Sequence, residues 1–449
     1  MSQAIKSISK NGQADVAHHG KNGVPSKLMY FILGICFFSI LADGYDLGIY
    51  GAVLPSLLEY QPWNLTPAQA GTIGSYALFG MLFGAILVGT VTDLLGRKWT
   101  LIFCIILFSL TMVACAMATS PAMFGFFRFI GGIGLGGVIP TASALAIEYS
   151  PPHRRTLNYS LMFSGYSFGT VLGAILAILL LDSLGWRFMF WIGALPLLIV
   201  PIMIKYLPES VSFLLSKNRH KEAEVICKRY QMNISFFEEQ LQNGKKDTVS
   251  EKKSIKGLFS KEYIRPTIFI WLTYIMGFYL VYGLNTWLPQ IMKELGYSLH
   301  SSLSFLLVMN LTAGIGALLA SAIADRWGSK RVIGVSYSLA AVCAFLLTLG
   351  APPIGVTYLL VGIAGFGAVG STQILNAFVT KYYPAQSRAT ALGWGLGIGR
   401  IGAISGPVLV GFLLSMNVDL IWSFYTFVIA GLVATLGIFL TPSKKGEIV

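Results

Sequence analysis

The sequence predicts an all-α membrane protein: twelve transmembrane helices in two six-helix, pseudo-symmetric halves. Three observations carry this. Of 449 residues, 55% are hydrophobic and only 11% are charged, well under the roughly 25% charged content of an average soluble domain. Apolar runs recur that match the roughly 20 residues a helix needs to cross a bilayer core of about 30 Å. The second six runs also echo the first six at a steady separation.

Residues 1–27 are polar, carry Lys6, Lys10, Lys21 and Lys27, and lack a small-residue cleavage site behind a short apolar core. They read as a disordered cytosolic tail rather than a signal peptide. The spans follow at about 28–55, 69–92, 99–118, 122–147, 158–181 and 187–206, then 267–289, 303–324, 332–350, 355–380, 389–414 and 420–441. This gives an N-terminal half over 28–206, a C-terminal half over 266–441 and a short cytosolic tail at 442–449. Between the halves lies the polar loop 207–265. Its stretch "LPESVSFLLSKNRHKEAEVICKRY" sets apolar residues among charges at helical spacing, predicting short amphipathic helices.

The net charge of +13 is placed by topology. Every Lys and Arg except Arg128, Arg187, Lys293 and Arg400 falls in the tails or in loops on one side of the spans. The positive-inside rule makes that side the cytoplasm and puts both termini there, in a multi-pass inner-membrane protein. The basic excess therefore gives no reason to expect nucleic acid. Cys36, Cys104, Cys115, Cys227 and Cys343 show no metal-ligand or disulfide spacing.

The repeat is explicit. "EYSPPHRRTLNYSLMFSGYSFGTVLG" after the fourth span is matched by "KYYPAQSRATALGWGLGIGRIGAISG" after the tenth. Pro151 and Pro384, Arg155 and Arg388, Gly169 and Gly402, and Gly173 and Gly406 pair at a constant separation of 233 positions. "GTVTDLLGRK" after the second span is echoed by "SAIADRWGSKR" after the eighth, pairing Asp93 with Asp325 and Lys98 with Lys330. Parallel six-span repeats around a midplane cavity are an architecture in which one half rocks against the other.

"GTVTDLLGRK" resembles the loop signature of the major facilitator superfamily, G-x-x-x-D-R-x-G-R-R/K, and "RFIGGIGLGG" resembles its fourth-helix motif. The resemblance covers Leu28 to Pro442. Within that superfamily, "DGYD", "LPES" and "GIGRIGAISG" are most similar to the aromatic acid:proton symporter group. Leu94 stands where the signature has Arg, and Ser321 and Ser329 depart from it in the second half. The resemblance implies a monomeric transporter that needs no cofactor and is driven by the proton gradient. It would import a small organic anion such as benzoate, hydroxybenzoate or a pyridine carboxylate. It also implies a charge network closing a cytoplasmic gate, formed by Asp93, Arg97 and Lys98 with Asp325, Arg326 and Arg331. Glu148, Arg155 and Arg388 would form a second cluster there.

Only four ionisable residues lie far from an interface: Asp43, Asp46, Arg128 and Arg400. Each costs at least ~2.5–3.5 kcal/mol to insert, so each is a functional candidate. Asp46 lies nine residues before Pro55 and Arg128 seven after Pro121; at ~1.5 Å per residue both sit about 10–14 Å below the outer surface and can meet. Asp43 and Asp46 share a helix face. Two carboxylates in a poorly hydrated cavity cannot both ionise cheaply, so one is suited to take up the driving proton, its neutralisation releasing Arg128. The alternative is a static Asp–Arg bridge. Arg400 falls near the midplane with no acid in spans seven to twelve, so a substrate carboxylate is its expected partner. Backbone carbonyls, or an aspartate of the other half, are the alternatives.

"GGIGLGG" (131–137) lies mid-helix with no preceding strand, so it reads as small residues for close helix packing and not as a phosphate cradle. Aromatic faces with a few hydrogen-bonding groups suit a planar acid. The candidates are Tyr45, Tyr166, Tyr279, Tyr282, Asn285, Asn310, Gln373, Asn376 and Trp394. An enzyme would need a nucleophile, metal cluster or catalytic histidine near an interface, and none is recognisable. A carrier of sugar acids or hydroxylated cyclic acids, a proton-driven exporter and a transporter-derived receptor are the competing readings.

Overall fold

The computed structural model describes residues 24–239, 258–349, 353–384, 387–416 and 418–442, without the side chains of residues 89, 90, 93, 318 and 389. Most of the expected N-terminal tail, nearly all of the C-terminal tail and part of the central loop lie outside these residues.

The first half is built from α1 (Ser26–Leu58), α2 (Pro67–Leu95), α3 (Arg97–Ala116), α4 (Pro121–Glu148), α5 (Arg155–Gly193) and α6 (Val200–Tyr206). Short helices α7 (Val211–Ser216) and α8 (His220–Arg229) lie in the central loop, as its pattern predicts. The second half comprises α9 (Ile264–Glu294), α10 (Leu299–Trp327), α11 (Ser329–Leu346), α12 (Ile354–Gly365), α13 (Ser371–Tyr382), α14 (Arg388–Ser415) and α15 (Ile421–Leu440). A π-helical turn, Phe366–Gly370, joins α12 to α13 in one span.

Eleven helical runs among the described residues are long and apolar enough to cross a membrane. One of them, Pro152–Tyr206, has 55 residues, which would be about 80 Å of straight helix against a bilayer core of about 30 Å. The chain turns inside it at Gly185, whose φ of +76° is non-helical. It therefore crosses twice there, making twelve spans. With an even number of crossings, both described ends emerge on one face, the terminal end; the opposite face is the distal end.

Caps fix where the spans enter from the distal end. Thr66, Ser120 and Ser298 accept from the backbone N–H groups of Gln69, Met123 and Ser301 at 3.3, 3.3 and 3.2 Å. Pro67 and Pro121 occupy the first helical position, where a missing N–H costs nothing. At the terminal end the halves repeat one device. Gly96 (φ +91°) and Gly328 (φ +89°) make the tight turns into α3 and α11, a conformation that disfavours any Cβ. Two residues on, Lys98 donates to the Ile204 carbonyl at 2.8 Å and Lys330 to the Thr441 carbonyl at 2.6 Å. Each ammonium thereby satisfies a carbonyl at the end of the half's last span, where the helix dipole favours a cation.

Glycines set the close contacts within each half. A Cβ at Gly169 would overlap the Leu41 carbonyl, and one at Gly402 would overlap the Ile275 carbonyl. These equivalent contacts bind α5 to α1 and α14 to α9. Gly132 and Gly136 likewise press α4 onto the Ala77 and Met81 carbonyls of α2.

The halves meet mainly through α2 with α14, α1 with α9 and α5 with α10. At the distal end, the Ala68 N–H donates to Ser415 Oγ at 2.7 Å, Lys293 pairs with Glu59, and Gly411 packs on the Pro67 carbonyl. Toward the terminal end, a Cβ at Gly393 or Gly397 would meet open space, and Trp394 is exposed. The halves are tied together by these contacts at the distal end.

Gly402→Leu should lower the melting temperature of the purified protein and abolish transport, while Gly393→Ala should leave melting unchanged. Equal melting of both variants in a thermal-shift assay would contradict this packing.

Candidate functional site

The helix that carries "DGYD" approaches its neighbours as closely as backbones allow. A Cβ at Gly44 would overlap the Tyr166 carbonyl of α5, and one at Gly51 the Asn285 carbonyl of α9. Glycines one or two turns apart thus press α1 against both halves and leave Asp43 and Asp46 buried between them.

The depth argument for Asp46 and Arg128 holds: the two form an ion pair, both side chains almost wholly buried. The guanidinium also lies over the Tyr50 ring, 4.9 Å from its centroid. The Tyr50 hydroxyl donates to the Ala70 carbonyl at 2.5 Å, which fixes the ring. α1 and α4 belong to the same half, so this pair is internal to one packed body.

Asp43 and Arg400 are arranged differently. Asp43 lines a cavity of about 20 Å³ with Asp46, Arg128, Tyr166 and Tyr282, room for about one water molecule. Its Oδ2 is buried and has no hydrogen-bond partner among the described residues. Half-buried Arg400 donates from Nη1 to the Tyr282 hydroxyl at 3.2 Å and lies 3.9 Å from Met81 Sδ. Arg400 belongs to none of the ion pairs among the described residues. Tyr282 connects the two: it borders the Asp43 cavity and its hydroxyl holds Arg400. Tyr166, from the other half, borders the same cavity as Tyr282 and Asp43.

Other candidate lining residues are spread more widely. Tyr45 turns into its own half and donates to the Met189 carbonyl at 2.7 Å. The Tyr279 ring packs on Phe427 of α15. Neither borders the cavity. Asn285 and Asn310 donate to carbonyls one turn back on their own helices, Val281 at 2.8 Å and Leu306 at 3.0 Å. Asn376 accepts from the Tyr274 hydroxyl at 2.8 Å, and Gln373, one turn away, is half-buried. Trp394 stacks on Trp271 with centroids 5.8 Å apart.

At the terminal end, Arg97 pairs with buried Glu148, which also accepts from Ser210 Oγ at 2.6 Å and the Ser212 N–H at 2.9 Å. Sequence reasoning placed no role on Glu209, although "LPES" contains it. Its Oε1 accepts from the Lys98 and Ser210 N–H groups at 3.0 and 2.9 Å. Burial holds this carboxyl above the usual carboxylate range, opposed by N–H donors of Lys98, Ser210 and Arg97. These contacts join α3, α4 and the start of the central loop within one half. The Asp93 side chain lies outside those described. Arg155 is half-buried, and its Nε has no hydrogen-bond partner among the described residues. In the second half the charges are exposed: Asp325 meets Lys381 at 3.2 Å, Arg326 and Arg331 face outward, and Arg388 donates to the Tyr383 carbonyl at 3.1 Å. Among the described residues, no group of three or more His, Cys, Asp or Glu stands together to hold a metal ion.

Two packed helical halves that close at one end around buried charges define a transporter. A sequence profile of the Major Facilitator Superfamily matches residues 36–394 and 304–448, and the chain belongs to that family. It is 37% identical over 405 residues to a benzoate transport protein of Acinetobacter baylyi, covering 89% of this chain and 86% of the relative. It is 34% identical over 394 residues to a gallate transporter of Pseudomonas putida, covering 87% of each. The resemblance to the aromatic acid group is borne out by these relatives. In fold it is similar to the inward-open xylose transporter XylE of E. coli, with a TM-score of 0.74 at 19% identity, covering 94% of this chain and 99% of that one.

Breaking the Asp46–Arg128 pair from one side leaves an uncompensated buried charge, a cost of about 3–5 kcal/mol. Arg128→Met should therefore melt well below wild type, and Arg128→Met with Asp46→Leu should recover most of the loss. Thermal melting of the three proteins checks this.

Proposed function

We propose that this protein is a proton-coupled symporter of the inner membrane that brings an aromatic or pyridine carboxylate into the cytoplasm. The observation that carries the reading is Arg400: a half-buried guanidinium whose hydrogen-bond partners are a neutral phenol and a thioether. A carboxylate is the natural ligand for such a group, because the planar fork can donate two parallel hydrogen bonds. The benzoate and gallate relatives transport acids of this kind.

A benzoate ring is far larger than the 20 Å³ cavity. Its carboxylate therefore meets Arg400 from the terminal side of that cavity. By the positive-inside rule the terminal end is cytoplasmic, so this is the arrangement that releases substrate inward.

Proton coupling is assigned to Asp43. Asp46 is closed by Arg128 inside one half, and a bond internal to a rigid half cannot report on the position of the other half. Asp43 borders the same cavity with an oxygen that has no hydrogen-bond partner among the described residues, and Tyr282 lies between it and Arg400. On this reading Asp43 is the carrier and the Asp46–Arg128 pair is the static bridge, rather than a bond released by the proton.

In proteoliposomes, uptake of labelled benzoate should saturate and rise with an inward proton gradient. Arg400→Ala should abolish binding, and Arg400→Lys should weaken it at least about tenfold by losing the bidentate fork. Wild-type affinity in Arg400→Ala, measured calorimetrically, would overturn the reading.

A further inference from the structure

We infer that the Tyr282 hydroxyl is an insulator that keeps Arg400 and Asp43 from closing a direct salt bridge across the two halves. This rests on the proposed binding of a carboxylate at Arg400 and adds a residue that keeps that site available. Tyr282 is on α9 and Arg400 on α14, both in the second half; Asp43 on α1 and Tyr166 on α5 belong to the first.

The geometry has three parts. The Tyr282 oxygen takes the Arg400 Nη1 donor at 3.2 Å, and the ring lies 6.0 Å from the guanidinium carbon. Tyr282 borders the same cavity as Asp43 while its hydroxyl holds Arg400, which is not itself part of that lining, so this phenol stands between the carboxylate and the guanidinium. Asp43 Oδ2 remains without a hydrogen-bond partner among the described residues. The titratable groups around Asp43 are Asp46 and Tyr50 on its own helix, Arg128 on α4, Tyr166 on α5, Tyr282 on α9 and Arg400 on α14.

A phenol oxygen satisfies a guanidinium donor without neutralising it. A carboxylate neutralises it and forms the stronger, charge-assisted bond. An incoming carboxylate can displace the phenol readily, whereas it would have to compete with Asp43 as an equal. Holding Asp43 apart also leaves it free to take a proton. Tyr282 is thus a positioning residue, acting through Arg400 and Asp43.

The test is a double-mutant cycle on benzoate affinity, measured calorimetrically on the full-length purified protein. In the wild-type background, Tyr282→Phe keeps the ring, removes the hydroxyl and should weaken binding about tenfold, because the charge-assisted Asp43–Arg400 bond then forms. In an Asp43→Asn background the same substitution should change affinity less than about twofold, since the competitor is gone. A purely structural role for the hydroxyl predicts the same loss in both backgrounds and would overturn the proposal, as would an unchanged affinity in Tyr282→Phe. Should Tyr282→Phe fold poorly, Tyr282→Met, which also removes the hydroxyl, should show a loss with the same dependence on Asp43; equal losses in both backgrounds would again overturn it. Wild-type protein that binds no benzoate, or Arg400→Ala that binds it normally, would instead remove the underlying reading, and those arms contain no change at Tyr282.

Discussion

A charge held inside hydrocarbon must be neutralised or solvated, and this protein's architecture follows from how four such charges are handled. Asp46 and Arg128 neutralise each other completely within one half. Asp43 lines the central cavity from the first half, and Arg400 is held beside it through the Tyr282 hydroxyl of the second. The first arrangement is a staple. The second is incomplete, and an incomplete pair can respond to a ligand and a proton.

What turns that difference into function is the rigidity of the halves. Gly169 against Leu41 and Gly402 against Ile275 bring backbone against backbone at equivalent points, so each half is packed as one body. Lys98 and Lys330 tie off the last span of each half in matching positions. In the proposed rocking of one half against the other, charges within a half keep their distances and charges across the interface do not. Both aspartates border the interface cavity; what separates them is that Asp46 is paired within its own half and Asp43 keeps an unbonded oxygen.

Much of the fold was legible because membrane helices are written in length and apolarity. The Asp46–Arg128 contact was legible too, because helix rise converts sequence position into depth. Rotation about the helix axis was harder to read. Tyr45 and Asp46 are neighbours in sequence, yet one points to Met189 and the other to Arg128. Asn285 and Asn310 were candidates as polar groups in apolar spans, but their amides bond to carbonyls one turn back on their own helices. The break between the fifth and sixth spans, at 182–186, falls on the turn at Gly185, whereas the π turn at 366–370 left no mark in hydropathy. Glu209 was hidden for another reason: its partners are backbone N–H groups at the start of α3, more than a hundred residues earlier.

Separating the two aspartates by function tests the account most directly. Asp43→Asn and Asp46→Asn are each reconstituted in proteoliposomes, and labelled benzoate is followed in proton-driven accumulation and, without a gradient, in exchange against benzoate inside. The account predicts that Asp43→Asn exchanges benzoate but no longer accumulates it, while Asp46→Asn loses thermal stability and both activities together. Full proton-driven accumulation by Asp43→Asn would contradict it.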